Sequence, residues 1–301
     1  MALRKLLDSR PPTPYFKLPP LHVVFLKIED SPRVVSWAFG ESSATPTCTK
    51  LNKMAIISDG ESLAKITLFE AVAGKVAEGE AFFMRGHTLV GKSPPFLINV
   101  GSGTQFFRAS KIACPAELLA RAETLLHPAS PLVELSQCRE QQGLISIEGV
   151  ITEISAVRKV ESGREALPLR KLTLQQGKTT VRVSLWREAA VKPLAVGETV
   201  RVTHTKSLKT EYGLQLNSTN FTKLEKQLQT GIELTIIGVL EEEGATSSSG
   251  PELLEVLQEN GETLRILKDL WGPNFDEALL KGPLKCTACV SGTNIVKLKL
   301  I

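Results

Sequence analysis

Apolar and polar residues alternate over much of this chain. VRVSL (181–185), ETVRVTH (198–204), LISIEGVITEI (144–154) and LTIIGVLEE (234–242) alternate or run apolar and are rich in β-branched residues, the mark of strands with one or both faces buried. Helical spacing is scarce. In PAELLARAETLL (115–126), Pro115 stands at a first helical position, and Leu118, Leu119, Leu125 and Leu126 are spaced for one face. A second helix is expected over 130–142, with Ser130 as N-cap, Pro131 next and Gly143 past the end. A third is expected over 268–280, interrupted by Gly272 and Pro273. The chain therefore reads as mainly β, with helices between groups of strands.

The groups repeat. GESLAKITLFE (60–70) and GKTTVRVSLWR (177–187) match position by position, with Ala64-Lys65-Ile66 over Val181-Arg182-Val183. A weaker third copy is GETLRILKDLW (261–271), where Leu264-Arg265-Ile266 takes the same part. Each of the first two is followed by an alanine-bearing connector that reaches Gly79-Glu80 or Gly197-Glu198 and then another strand. Copies spaced this widely suggest domains, since solenoid repeats run at about 20–50 residues. In the middle copy the expected elements are strands over about 144–155, 167–175 and 179–186, a connector over 187–197, and strands over 198–208 and 213–219. Five strands with a helix-sized connector between the third and fourth describe the OB-fold, a five-stranded Greek-key barrel. The expected architecture is three tandem OB-folds joined by short helical linkers. They cover 15–113, 144–226 and 227–301, with a helical linker over 114–143.

Charge adds a contrast between these segments. Residues 1–113 carry a net charge of +5 and residues 144–226 one of +6, whereas 227–301 carry −5. A basic domain has the electrostatic footprint for a polyanion, and an acidic one repels phosphate. The third domain is thus expected to bind a protein partner or to pack on the other domains. A hydrophobic content of 42% is enough for buried cores. No apolar run reaches membrane-spanning length, and the N-terminus, with Asp8 and no long apolar core, does not read as a secretory signal. Five scattered cysteines suggest free thiols in a reducing compartment. The four histidines (22, 87, 127 and 204) are dispersed, and no phosphate-binding loop, zinc-protease or nucleophile-elbow motif occurs. No enzymatic activity and no cofactor are expected. Cys286-Thr-Ala-Cys289 lacks a second pair and cannot close a tetrahedral zinc site by itself.

The middle copy resembles a DNA-binding OB domain of the replication protein A large subunit. The residues that carry the resemblance are SPLVELSQCREQQGLISIEGVITEIS (130–155), RKLTLQQGKTTVRVSLWREAA (170–190) and GLQLNSTNFTKLE (213–225). The first copy resembles the preceding domain of that arrangement, with Phe69 where tryptophan is commoner, and the likeness thins over 226–301. The resemblance implies single-stranded DNA binding in replication, repair or recombination, and a nuclear location. RNA offers the same stacking and phosphate contacts. The contrasting reading is an OB-fold protein-interaction scaffold with little nucleic-acid binding.

An OB-fold binds single strands on the face of its second and third strands, flanked by the loops between strands 1 and 2 and between strands 4 and 5. Such binding uses cations along phosphates and flat groups against bases. If Val181, Val183 and Leu185 fill the barrel, Thr180, Arg182 and Ser184 face outward. Lys171, Thr173 and Gln175 do so on the neighbouring strand. The candidate contacts are therefore Lys171 and Arg182 on the face, with Lys65 repeating the Arg182 position. Arg158, Lys159, Arg164 and Arg170 lie in the first loop, and Lys206, Lys209 and Tyr212 in the second. In the first domain the corresponding 4–5 loop (87–96) offers His87, Lys92 and Phe96, and the 1–2 region offers Arg33, Trp37 and Phe39. Trp186 is expected to close the barrel end.

Overall fold

The computed structural model describes residues 2–9, 17–163, 165–210, 213–241 and 252–301. Arg164 and Tyr212 fall outside them. By internal contacts the chain divides into two compact units, one of 1–129 with 160–167 and one of 130–159 with 168–301. Among the described residues no helix is long and apolar enough to cross a membrane. The fold is mainly β and consists of tandem OB-like sheets.

In the first unit a short helix α1 (Leu3–Asp8) precedes β1 (Leu21–Asp30), the hairpin of β2 (Arg33–Phe39) and β3 (Ala44–Lys50), and β4 (Lys53–Ser58). Then follow β5 (Leu63–Leu68), a one-turn helix α2 (Glu70–Ala73), β6 (Ala81–Arg85), the hairpin of β7 (Thr88–Val90) and β8 (Leu97–Asn99), β9 (Gln105–Arg108) and α3 (Ala116–Leu126). The sheet runs β5-β4-β1-β6-β9, and a parallel bridge from Leu68 to Val100 joins the end of β5 to the residue after β8. Its interior holds Val23, Phe25, Ile57, Ile66, Leu68, Phe82 and Met84, together with Leu3 and Leu6 of α1. The α1 helix is tied at its start by Leu3 N donating to Asp59 Oδ2 at 2.6 Å.

The sheet also has a second apolar layer on its outer face. Ala122 and Leu126 of α3 pack on Val24, Leu26, Ile56 and Ala81. The helix buries Leu118, Ala122 and Leu126, while Leu119 and Leu125 stay exposed. Its contact stripe therefore follows the four-residue spacing of one helical turn rather than the leucine doublets.

The middle group comprises β10 (Leu144–Ile154), β11 (Arg158–Ser162), β12 (Glu165–Gln176), β13 (Thr179–Trp186), β14 (Thr199–Thr210), β15 (Gly213–Asn217) and β16 (Leu224–Lys226), and apart from 160–167 it belongs to the second unit. The order β10-β12-β13-β15-β14 closes on itself through β14–β10 pairing, with β13 and β15 parallel. That is the strand order 1-2-3-5-4-1 of an OB barrel. The core is Ile145, Ile147, Ile151, Leu172, Leu174, Val181, Val183, Leu185, Val200, Val202 and Leu216, with Leu135 and Cys138 from the lead-in. The helix expected over 130–142 is not formed. Only Leu135–Gln137 makes a single 3-10 turn, because Ser130 and Pro131 are engaged by the sheet. Ser146 N donates to Pro131 O, and His204 N donates to Ser130 Oγ. The expected 1–2 loop contains a strand of its own, β11, paired with β12.

The third group comprises β17 (Gln229–Glu241), β18 (Leu253–Gln258), β19 (Thr263–Leu267), α4 (Lys268–Leu279), β20 (Leu284–Ser291) and β21 (Asn294–Leu300). It forms a closed barrel ordered β17-β18-β19-β21-β20. Gly272 breaks α4 at φ 59°, ψ 162°, where the sequence places its interruption. The three aligned glycines, Gly60, Gly177 and Gly261, sit in the β4–β5, β12–β13 and β18–β19 turns at φ 96°, 59° and 85°. Only glycine enters that region without strain, so the sequence repeat is a repeat of one turn.

Candidate nucleic-acid interface

The outer face of the middle barrel is built from two cross-strand rows. In one, Glu153, Thr173, Arg182 and Gln215 lie side by side on β10, β12, β13 and β15. In the next, Lys171, Ser184, Asn217 and Lys206 lie side by side on β12, β13, β15 and β14. Alternation sends Leu172, Leu174, Val181, Val183 and Leu216 inward, which leaves these rows facing out. Lys171, Arg182 and Lys206 are exposed, and no ion-pair partner occurs for them among the described residues. The one carboxylate in the rows, Glu153, accepts a hydrogen bond from Thr173 Oγ1 at 2.9 Å.

A groove of about 760 Å³ crosses this surface, with Arg182, Thr173, Thr180 and Glu153 along it and Ser136 and Arg139 of the lead-in on its rim. Arg139 is an exposed cation that sequence reasoning passed over, because the expected helix gave it no place near the sheet. The spacing from Leu135 and Cys138, both in the barrel core, is the signal that could have found it.

The structure sorts the remaining candidates. Arg158 and Lys159 are exposed on β11. Lys209 lies on β14, its side chain outside the described residues along with Arg164 and Tyr212. Arg170 is not a free cation. It is half-buried, with Nε donating to Ser155 O at 3.0 Å, Nη1 to Lys192 O at 3.1 Å and Nη2 to Leu194 O at 3.5 Å. It is a clamp between the end of β10 and the connector, and burial lowers its pKa from the ordinary arginine value. Ser184, expected to face solvent, is 2% exposed and accepts a hydrogen bond from Gln215 Nε2 at 2.7 Å. The long glutamine beside it on β15 covers the small hydroxyl. Trp186 is half-buried and lies outside the barrel core, with its backbone N–H donating to Ser218 Oγ.

In the first sheet the candidate set does not assemble. Lys65 occupies the position of Arg182, but α3 covers that face. Its ammonium donates to Leu125 O at 3.3 Å, at the C-terminal end of the helix, where cations are favoured. Burial lowers its pKa, partly offset by Glu29. Phe96 is 4% exposed and its backbone N–H donates to Leu7 O, so its ring packs in the fold rather than against a base. His87 is 3% exposed with neither ring nitrogen in a well-formed hydrogen bond among the described residues, and burial lowers its pKa, partly offset by the backbone of Met84. Trp37 is also buried. Lys92 is exposed in the β7–β8 loop, and Arg33 on β2. In the third barrel, Arg265 repeats the Arg182 position but faces Glu255, 3.5 Å from its carboxylate. Lys268 lies 3.2 Å from Glu241 and 3.0 Å from Glu252.

No protein-family model matches the chain, and no curated protein matches it. Among solved structures, the replication protein A heterotrimer bound to single-stranded DNA is similar at 9% identity and TM-score 0.35, covering 96% of this chain and 94% of that one. A HINa domain in complex with 20-bp double-stranded DNA is similar at 11% identity and TM-score 0.35, covering 69% of this chain and 96% of that one. The OB domain of Ta0387 from Thermoplasma acidophilum is similar at 19% identity and TM-score 0.29, covering 33% of this chain and 88% of that one. The fold assignment rests on strand order, with or without these likenesses.

Proposed function

We propose that this protein binds single-stranded DNA on the outer face of its middle barrel, without enzymatic activity. In this reading it serves DNA replication, repair or recombination in the nucleus. The observation that carries it is the pair of rows bearing Lys171, Arg182 and Lys206, all exposed, with Arg182 also lining a groove. Two cations on the neighbouring strands β12 and β13, with a third on β14 beyond β15, suit a phosphate chain, and a groove suits unpaired bases. The dispersed histidines and missing catalytic motifs support a binding role rather than a reaction.

The test is fluorescence anisotropy with a labelled oligothymidine of about 30 nucleotides at low and moderate salt. Binding that weakens with salt, and weakens further in Lys171→Glu and Arg182→Glu, supports the reading. An absence of binding at low salt overturns it, and an unchanged affinity in both variants shows that the face is wrong. An oligouridine competitor separates DNA from RNA preference.

The third barrel favours a second role for that part of the chain. Its cation at the repeated position is paired with Glu255, and Lys268 with Glu241 and Glu252. A surface so neutralised, in a segment of net charge −5, suits a protein partner better than phosphate.

A further inference from the structure

The first sheet carries an aromatic row that the sequence does not announce. His22 on β1 is the cross-strand neighbour of Phe83 on β6, and Phe83 is the neighbour of Phe107 on β9. Phe82, Met84 and Phe106 turn to the interior, so all three members of the row face outward. Phe83 is 43% and Phe107 49% exposed. The His22 and Phe83 rings stack with centroids 4.5 Å apart and planes at 23°. Nε2 of His22 lies 3.1 Å from Ser110 O and donates to it, which fixes the imidazole plane. Helix α3 covers Val24, Ile56 and Lys65 on this side of the sheet and, among the described residues, leaves Phe83 and Phe107 exposed.

Two phenylalanines showing nearly half their surface side by side, against a third ring already locked flat, form a platform rather than scattered apolar exposure. The surroundings specify what lies on it. Arg85 is the next outward residue on β6 and is exposed, with exposed Gln105 opposite it. None of the outward positions where β1, β6 and β9 pair is acidic. The segment 1–113 carries a net charge of +5. Flat rings beside an arginine, in a basic domain, fit a base with its phosphate.

We infer that His22, Phe83 and Phe107, with Arg85, form a second contact for single-stranded nucleic acid, stacking bases on the face of strands β1, β6 and β9. This inference rests on the single-strand binding proposed for the middle barrel. It places the first domain's contact away from the strand 2–3 face, which α3 occupies. A strand held by both contacts binds more tightly than by either alone, through effective concentration.

The experiment uses the full chain and two ligands of equal phosphate number, oligothymidine and an abasic oligomer. In the double variant Phe83→Leu/Phe107→Leu, apolar bulk is kept and the rings are lost. The expected result is a loss of at least about tenfold in affinity for oligothymidine, with affinity for the abasic oligomer and the salt slope unchanged. Lys171→Glu/Arg182→Glu is expected to lower affinity for both ligands and to flatten the salt slope. If the double leucine variant binds oligothymidine as the wild type does, while the charge variant is weakened, the platform is overturned and the middle-barrel reading stands. If the wild type binds neither ligand, both fall. A change confined to oligomeric state in sedimentation assigns the row to a second copy and also overturns the inference. A shifted melting curve directs the measurement to Arg85→Gln, which is expected to weaken binding without loss of core; unchanged affinity there counts against the platform.

Discussion

Replacing Lys171, Arg182 and Lys206 together by glutamine tests the middle face most directly. The three side chains are exposed and occupy adjacent rows, so the substitutions remove charge and little packing. Surface changes of this kind usually alter stability by no more than about 0.5 kcal/mol. For a single strand each phosphate neutralised contributes about 0.7 to the slope of log affinity against log salt. Three lost contacts therefore lower the slope by about 2. Relative to molar salt, each contact is worth about fivefold at roughly 0.1 M, so the triple variant binds about a hundredfold more weakly there. The gap narrows as salt rises. Anisotropy titrations over roughly 0.05–0.4 M salt read both quantities. A matched control replaces Lys285, Lys297 and Lys299, exposed on β20 and β21 of the acidic barrel, and is expected to keep the slope. A triple variant with wild-type slope refutes the placement of phosphate on these rows, and an equal effect in the control refutes the choice of barrel.

Other expected outcomes concern stability. A Cβ added at Gly149 would lie 2.8 Å from Gln175 O, a backbone atom, so Gly149→Ala must part β10 from β12 and is expected to cost about 1–3 kcal/mol in denaturant unfolding. Gly292 sits at φ 60° in the β20–β21 turn, and a Cβ there would meet Glu198 N and Cα at 3.0 Å. Gly292→Asn, which tolerates the dihedral, is expected to destabilise through the contact alone, with faster proteolysis near residue 228 as the readout. Glu198 is 4% exposed and accepts from Lys226 Nζ at 2.6 Å and from Ala195 N at 3.0 Å. Glu198→Ala is expected to cost about 1.5–3 kcal/mol in thermal or urea unfolding. Burial lowers the His87 pKa below its usual 6.5, so below that pH the unfolded chain takes up a proton that the folded one resists. Stability should fall as pH drops through the unfolded histidine value of 6.5, and His87→Phe should flatten that decline in melting curves.

Several features of this protein are legible along the chain because they depend on near neighbours. Alternation at 181–185 shows which face of its own strand Arg182 takes, and the structure places that residue outward as read. The aligned glycines are turns because a positive φ is a local demand, and Gly272 interrupts α4 for the same reason. The exposed cation Lys171 follows from strand period alone, whereas Lys206 reads as a loop residue and lies on β14.

What lies upon a face is a different matter, since it depends on segments far away in sequence. Lys65 obeys the same alternation as Arg182, yet α3, from about sixty residues downstream, closes over it. Arg170 reads as a loop cation, and only the folded connector brings the carbonyls of Lys192 and Leu194 to its guanidinium. Phe96 reads as an accessible ring, and packing buries it. AFFMR and QFFR each look like core strands, with one phenylalanine of each doublet turned inward. The pairing of β1 with β6 and of β6 with β9 sets the other two beside His22 and leaves them exposed. Sequence determined the main strands of the repeat, the three aligned turns and the side that Arg182 takes. Tertiary structure decided which faces meet solvent, because burial depends on long-range packing that periodicity does not encode.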